Sequence, residues 1–260
     1  MSEILLYVWI AGIGLAIGSF LNVLIYRIPR KISFGFSRSF CPSCKDKIRF
    51  YDNIPILSYL ILGGRCRFCK IRISLRYPLV ELLNALGYLF LFSEFNLSMA
   101  FLAYSFLTSI LIAIFFIDID FQIIPDILTL SGMVAGLALS LVPHGLGIVN
   151  SAVGAFVGGG VLYLVAILGD WAFKKESMGG GDIKMAAMLG AFLGWQKVFF
   201  VFFASAVIGL IISLVLMYFS KKIRSTRMIP YGPFLAIAAV IAVVYGDTII
   251  SFYLSHFLRL

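Results

Sequence analysis

Long apolar runs separated by short polar segments dominate the chain. A membrane-spanning helix needs roughly 20 predominantly apolar residues, and runs near that length recur from end to end. They predict transmembrane helices at 4–25, 78–95, 99–117, 127–143, 150–173, 185–195, 198–219 and 232–254. The run 185–195 would extend only about 16 Å at 1.5 Å per residue. We therefore allow that it forms a broken or partly inserted helix together with its neighbour.

Composition agrees with a membrane protein. Of the 260 residues, 62% are hydrophobic and only 13% are charged, whereas soluble domains have about 25% charged residues. The first run is too long for the apolar core of a signal peptide and follows Glu3 rather than basic residues, so we expect it to be retained. The expected fold is all-α and polytopic, with about eight transmembrane helices. We expect a first transmembrane helix at 1–26, a small cytoplasmic loop domain at 27–77 and a membrane core at 78–260.

The net charge of +9 is distributed unevenly along the chain. Twelve of the 21 basic residues lie between the first two predicted helices, at 27–76. Most of the others lie in two later loops, at 174–184 and 221–227. With eight helices and an outside N-terminus, these loops all face the cytoplasm, as the positive-inside rule requires. The basicity therefore indicates membrane topology, with possible contact to anionic lipid, and not nucleic-acid binding.

All four cysteines of the chain lie in the loop domain. They form two CxxC pairs, Cys41 with Cys44 and Cys66 with Cys69. This spacing is typical of a four-thiolate zinc site, in which two tight turns complete a tetrahedron of ligands. A loop this poor in hydrophobic residues would gain stability from the metal. Reduced, unligated thiols are an alternative, and two disulfides are a weaker one on the cytoplasmic side. A closed site of four cysteines leaves no position for catalysis, so we expect the zinc to be structural.

Aspartates interrupt the apolar pattern at two places. Asp118, Asp120 and Asp126 are predicted to lie in one cytoplasmic loop and Asp182 in the next. Two carboxylates on the same membrane face can share a proton and act as a general base and a general acid. Asp126 is also explained as a helix-start residue and Asp120 as a solvated acid at the interface. Intramembrane acids also serve ion and proton transport, so a zinc-bearing transporter is the competing function.

Two groups of glycines accompany these features. Gly179, Gly180 and Gly181 precede Asp182 directly, and we expect them to permit unusual backbone angles and the close approach of another chain. The small residues at 154 and 158–160 are expected to allow close helix packing in the fifth predicted transmembrane helix.

Taken in order, these motifs resemble those of the bacterial type IV prepilin peptidases, or leader peptidase/N-methyltransferases, of pilus, type II secretion and competence systems. The resemblance covers nearly the whole length. Its motifs are GSFLNVLIYRIP at 18–29, the paired CxxC loop, RYPLVE at 76–81, IDID with IPD at 117–126, and GGGDIK at 179–184 followed by Gly190 and Gly194.

The resemblance implies an inner-membrane aspartic protease that removes the basic leader of prepilins and pseudopilins after a glycine, at the cytoplasmic face. It also implies that the new N-terminal residue is methylated, with S-adenosylmethionine as donor. The implied catalytic residues are Asp118 and Asp182. The supporting positions are Asp120, Asp126, Gly179, Gly181 and Lys184.

The site of the methyl donor is not evident from the motifs. No strand–GxGxG–helix signature of a dinucleotide-type fold occurs. Asn22, in the first motif, and Glu81, at the start of the second predicted transmembrane helix, are polar groups at membrane depth. Each is a candidate for the donor site, and each is equally well explained as a buried helix-packing contact.

Overall fold

The computed structural model describes residues 3–33, 39–143, 145–175, 177–219, 229–253 and 255–256. The basic residues at 221–227 lie outside the described residues. The helices are α1 Glu3–Arg27, α2 Leu57–Ile61, α3 Arg76–Phe95, α4 Met99–Phe121, α5 Asp126–Ser140, α6 Ile148–Phe173, α7 Gly180–Phe219 and α8 Gly232–Tyr253, with a 3-10 turn at Phe50–Asn53. Extended pairing among the described residues is limited to two isolated bridges, Phe40 with Lys47 and Arg65 with Arg72.

The chain is an all-α polytopic membrane protein, with slightly fewer membrane helices than the eight predicted. Among the described residues, six helices are long and apolar enough to cross a membrane, namely α1, α3, α4, α6, α7 and α8. Helix α5 is also apolar but has only 15 residues. The number is lower by two because the predicted helices 185–195 and 198–219 belong to one 40-residue element, α7, and because α5, at the predicted helix 127–143, is short.

Helix α7 is broken at Gly194, whose φ of 77° and ψ of 168° are not helical. The break separates residues 180–193 (α7a) from residues 195–219 (α7b). Asp182, near the start of α7a, interacts electrostatically with Tyr231, and Ser205 in α7b hydrogen-bonds to the same tyrosine at 2.7 Å. A straight helix would separate positions 182 and 205 by about 35 Å. The chain therefore reverses direction at Gly194, so α7a and α7b form a hairpin.

The described residues divide into two compact units, Met1–Ala113 and Ile114–Leu260. This boundary falls inside α4. The functional division expected from the sequence, at 26 and 77, stays a prediction.

In the first unit, α1 and α3 pack at close range. A Cβ added to Gly14 would lie 2.7 Å from Cα of Ala85. Asn84 is fully buried at this interface; its Nδ2 donates to the carbonyl of Gly14 at 2.8 Å and its Oδ1 accepts from Ser109 Oγ at 2.8 Å. Polar groups in an apolar surrounding need such partners, so this network fixes the register of the helices.

In the second unit, glycines allow α6 to contact α7a directly. A Cβ on Gly154 would overlap the carbonyl oxygen of Gly190, and a Cβ on Gly158 would overlap that of Ala186. Ser151 adds a hydrogen bond across the same interface, from its Oγ to the carbonyl of Ala191 at 2.6 Å. The expectation of close packing at 154 and 158 is confirmed.

Candidate active site and metal centre

Asp118 lies in the last turn of α4 and not in a loop. The expectation that the helix ends at residue 117 is wrong, because the helical bonds continue to Phe121 and the amide of Gln122 still donates to the carbonyl of Asp118 at 2.9 Å. The side chain is buried, with 5% of its surface exposed. Its Oδ2 accepts a hydrogen bond from the backbone N–H of Gly232 at 3.1 Å.

Asp182 lies in the first turn of α7a, so its expected loop position is also wrong. Its backbone N–H donates to the carbonyl of Gly179 at 3.1 Å. Its Oδ1 is buried and accepts no hydrogen bond from any described residue. Asp118 is close enough to act on it electrostatically. The second unit therefore brings together the two aspartates that the resemblance singled out.

Of the three glycines before Asp182, Gly181 serves close packing. None of residues 179–181 has positive φ, so the expected unusual backbone angles are absent. A Cβ on Gly181 would lie 2.8 Å from Cβ of Ile124, and one on Gly179 would lie 3.3 Å from Oδ2 of Asp182. The expected close approach of another chain segment is thus present at Gly181, where the segment is Ile124.

The other supporting residues lie around this pair. Asp126 is the first residue of α5, where the N-cap Pro125 makes no side-chain cap bond. Lys184 Nζ contacts both carboxylate oxygens of Asp126, at 2.8 Å and 2.7 Å. Because both side chains are substantially exposed, at 43% and 58%, the pair contributes at most about 1 kcal/mol. Asp120 is exposed, and its separation of two residues from Asp118 places it on the other side of α4.

The sequence analysis missed Tyr231 and Gly232. Gly232 supplies the N–H that Asp118 accepts, and the hydroxyl of Tyr231 pairs with Ser205 Oγ at 2.7 Å. Their signal is the run Pro230-Tyr231-Gly232-Pro233 immediately before the last apolar segment. Proline and glycine at such a boundary mark a fixed helix start, but they do not reveal which residue the helix start will contact.

The four cysteines meet in the first unit. Their Sγ atoms all lie within 4.8 Å of one another, and none of the four forms a disulfide. Cys41 Sγ and Cys69 Sγ are 3.8 Å apart. A tetrahedron with Zn–S bonds of about 2.3 Å has edges of about 3.8 Å. The sulfur atoms therefore fit a four-thiolate metal ion, and the disulfide alternative is not observed.

The two CxxC turns share one backbone conformation. In the first, the N–H of Lys45 donates to the carbonyl of Cys41 at 2.9 Å; in the second, Lys70 donates to Cys66 at 3.1 Å. Both lysines have positive φ, 63° and 59°. This repeated turn points the thiols of each pair towards a common centre.

An ion pair stabilises the second CxxC turn. Arg67 donates to both carboxylate oxygens of Asp52, from Nε at 2.8 Å and from Nη2 at 2.6 Å. The hydrogen bond from Arg67 holds the pKa of Asp52 below its usual range. A bidentate arrangement of this kind is geometrically specific, so it fixes the cysteine turn against the preceding 3-10 turn.

A cavity of about 380 Å³ lies beside the four-cysteine cluster in the first unit. Both residues named for the methyl donor line it, Asn22 from α1 and Glu81 from α3. Glu81 Oε2 accepts from the backbone N–H of Ile56 at 2.7 Å. Asn22 Nδ2 donates to the carbonyl of Tyr77 at 3.0 Å. Both residues therefore make packing contacts and also face open space.

Comparison with known proteins gives consistent matches over both units. Residues 13–95 match the family described as Bacterial Peptidase A24 N-terminal domain, and residues 105–214 match the Type IV leader peptidase family. A protein of Aeromonas salmonicida (strain A449) named prepilin leader peptidase/N-methyltransferase is 39% identical, over 94% of this chain and 92% of that protein. Proteins of the same name are 36% identical in Pseudomonas aeruginosa, over 93% and 91%, and 34% identical in Legionella pneumophila, over 97% and 96%. No solved structure matches the chain.

Proposed function

Because the chain belongs to the type IV leader peptidase family, we propose that it removes the leader peptides of type IV prepilins and pseudopilins and methylates the N-terminus that the cut exposes. The observation that carries the proteolytic half is the meeting of Asp118 and Asp182 in one unit, the first buried and the second with a buried oxygen that accepts no hydrogen bond from the described residues. The relatives named prepilin leader peptidase/N-methyltransferase support the substrate class and the second activity. They give no support to a transporter.

We propose that the two carboxylates divide the acid and base roles. Asp118 accepts a proton from the attacking water, since the Gly232 N–H stabilises the charged form of its carboxylate. Asp182 donates a proton to the scissile carbonyl oxygen. The roles then reverse as the C–N bond breaks and the amine leaves with a proton.

Isosteric replacement tests this assignment. Asp118→Asn and Asp182→Asn should each lower prepilin cleavage by roughly 10²–10⁴-fold, the range of general acid–base catalysis. Both variants should still methylate a precleaved peptide, which shows that they are folded. Asp120→Asn is the matched control on the same helix and should retain most cleavage, because Asp120 is exposed on the other side of α4. Cleavage that survives either of the first two substitutions would refute the pair.

For methyl transfer, the proposed donor is S-adenosylmethionine. When bound, it supplies an electrophilic methyl group: the lone pair of the neutral terminal amine forms the N–C bond, the S–C bond breaks, and the extra proton on nitrogen passes to water. The chain has to bind the donor and orient the peptide amine towards it.

We propose that the four cysteines, Cys41, Cys44, Cys66 and Cys69, hold a structural zinc ion. The thiolate set and its tetrahedral spacing support zinc, and with four protein ligands no position remains open for water. The ion would fix the loop at 39–75 and take no part in peptide cleavage.

The distribution of basic residues along the chain supports a location for these sites in the cell. We propose a multi-pass protein of the bacterial inner membrane, with the N-terminus outside and both sites on the cytoplasmic side. The support is the concentration of basic residues in the loop at 27–76, as the positive-inside rule describes. The exposed apolar faces of the long helices would contact lipid.

A further inference from the structure

The cavity in the first unit has walls of mixed character. It is formed by the C-terminal part of α1, the start of α3 and the cysteine loop, and its volume of about 380 Å³ lies within the ~300–1,000 Å³ of small-molecule sites. Cys41 and Cys66, both buried, form part of one wall. The cysteine cluster therefore borders the cavity.

Charge is the most informative property of the wall. Three acidic residues line the cavity: Asp46 is exposed, Asp52 pairs with Arg67, and Glu81 is buried with 7% of its surface exposed. Among the described residues no lysine or arginine forms an ion pair with Glu81, whose carboxylate contacts only the Ile56 N–H and the Ser19 side chain. A buried carboxylate is costly unless it has a cationic partner. The cavity therefore favours a ligand with positive charge.

Arg27 does not supply that charge. It lines the same cavity, but its guanidinium donates to the carbonyl of Ser33 at 2.9 Å and lies over the ring of Phe40 at 5.6 Å. Glu81 thus has no cationic partner among the described residues, and a cationic ligand in the cavity would supply one.

Aromatic and amide groups complete the wall. The aromatic residues that line it are Tyr26, Phe40, Tyr59, Phe68 and Tyr77. Rings of this kind stack on flat heterocycles and attract cations over their faces. Asn22 uses only its Nδ2 group for hydrogen bonds to described residues, so its Oδ1 is available to a ligand donor. A flat base, hydroxyl or amino groups and a positive charge would all find partners here.

We propose that this cavity is the site of the methyl donor, a nucleoside that carries a sulfonium ion, and that Glu81 faces its positive charge. The inference rests on the proposed methyl-transfer activity. It places the donor in the first unit, in a cavity of which two zinc-ligating cysteines form one wall. The cysteine loop then has a second function besides binding zinc, because its residues form one wall of the donor site.

Binding measurements on the full-length, zinc-loaded protein in detergent test the proposal. S-adenosylmethionine and its product S-adenosylhomocysteine, which lacks the sulfonium charge, are titrated separately by calorimetry. In Glu81→Gln the amide oxygen can still accept from the Ile56 N–H, so only the charge is lost. We expect the affinity for S-adenosylmethionine to fall roughly tenfold and the preference over S-adenosylhomocysteine to disappear. An unchanged preference in this variant would overturn the role of Glu81.

A second variant tests the place of binding independently. Val23→Trp puts a large side chain on the cavity wall and should abolish binding of both molecules. Zinc content and prepilin cleavage should be the same as in the unchanged protein, which would show that the variant is folded. Asp182→Asn, in the other unit, is the matched control and should bind both molecules as the unchanged protein does.

The outcomes separate this inference from the proposed function. If the unchanged protein neither binds the donor nor methylates a precleaved peptide, the methyl-transfer proposal itself fails. If it methylates, and Val23→Trp binds the donor unchanged, the activity stands and the donor site lies elsewhere.

Discussion

At the scale of single residues, the candidate peptidase site depends on glycines, because a side chain at these positions would not fit. A Cβ on Gly232 would lie 2.6 Å from Oδ2 of Asp118 and 3.1 Å from Cδ1 of Ile124. Ile124 also fills the space beside Gly181, where a Cβ would lie 2.8 Å from its own Cβ. Ile124 is therefore in contact with the glycines beside both aspartates. An added Cβ would have to displace the Asp118 carboxylate at Gly232 and Ile124 at Gly181.

Substitution of Gly232 should affect cleavage alone. We expect Gly232→Ala to lower prepilin cleavage by roughly 10–100-fold, because a misplacement of about 1 Å costs on the order of 10²-fold. Methylation of a precleaved peptide, which we assign to the first unit, should be retained. Both activities are measured on the same preparation with a labelled methyl donor.

Gly180→Ala is the control for this experiment. It lies two residues before Asp182, and a Cβ there would meet nothing within 4 Å, so cleavage should change less than about twofold. Equal losses in the two variants would mean that glycine is needed for some reason other than the space beside Asp118.

At the scale of the element, the reversal inside α7 determines where the second unit places its helices. Gly194 has backbone angles in a region that is essentially restricted to glycine. Beyond it, Lys197 forms an ion pair with Asp247 at 2.8 Å, while Ser205 contacts Tyr231. Helix α7b therefore runs antiparallel to α8 and contacts Tyr231, the neighbour of Gly232.

Gly194→Ala should destabilise the protein. A Cβ at this position would lie 3.5 Å from Leu146, which is ordinary contact, so the cost comes from backbone strain of about 1–3 kcal/mol. Thermal unfolding in detergent, followed by circular dichroism, should show a lower Tm.

Gly160→Ala, in the middle of α6, is the control for this experiment, and we do not expect it to lower the Tm. A Cβ there meets nothing within 4 Å and the backbone is helical, so the substitution should be neutral or stabilise by roughly 0.5–1 kcal/mol. An unchanged Tm in Gly194→Ala would show that α7 does not depend on the break at Gly194.

At the scale of the whole molecule, the two proposed chemistries lie in separate compact units. The four-cysteine cluster and the cavity belong to Met1–Ala113, and the aspartate pair belongs to Ile114–Leu260. The boundary lies close to that between the two family matches, at 13–95 and 105–214. Each unit holds the residues of its own site, so we expect the two activities to respond differently to loss of the metal.

Removal of one cysteine should separate the activities. Cys66→Ser should abolish a zinc content of about one ion per chain, since Cys66 is a buried member of the four-sulfur cluster. Methylation and donor binding should fall at least tenfold, because the cavity loses a wall, while cleavage should fall much less. Zinc is measured by elemental analysis of the dialysed protein.

Ser43→Ala, an exposed position between the two cysteines of the first turn, is the matched control and should retain zinc and both activities. Cleavage that falls as far as methylation in Cys66→Ser would show that the peptidase site also depends on the metal.

Local features of the chain were sufficient to predict several parts of the protein. The apolar runs mark the membrane helices because a bilayer imposes length and composition on each helix separately. The CxxC spacing predicted the meeting of the four sulfur atoms, because each turn places two thiols by short-range geometry. The ordered motifs around Asp118 and Asp182 predicted the acidic pair.

Other parts were decided only by contacts between distant segments. The sequence does not show that α4 continues through Asp118 and turns that aspartate, and not Asp120, towards Gly232, which lies 114 residues further along the chain. It also does not show that the chain reverses at Gly194, or that Glu81 meets Ile56 at the edge of a cavity. Thus the sequence alone determined the class of fold and predicted the cysteine cluster, because those depend on composition and short spacing, and the resemblance to a family singled out the two acids. The tertiary structure alone decided which side chains face one another, because that depends on packing between helices far apart in the chain.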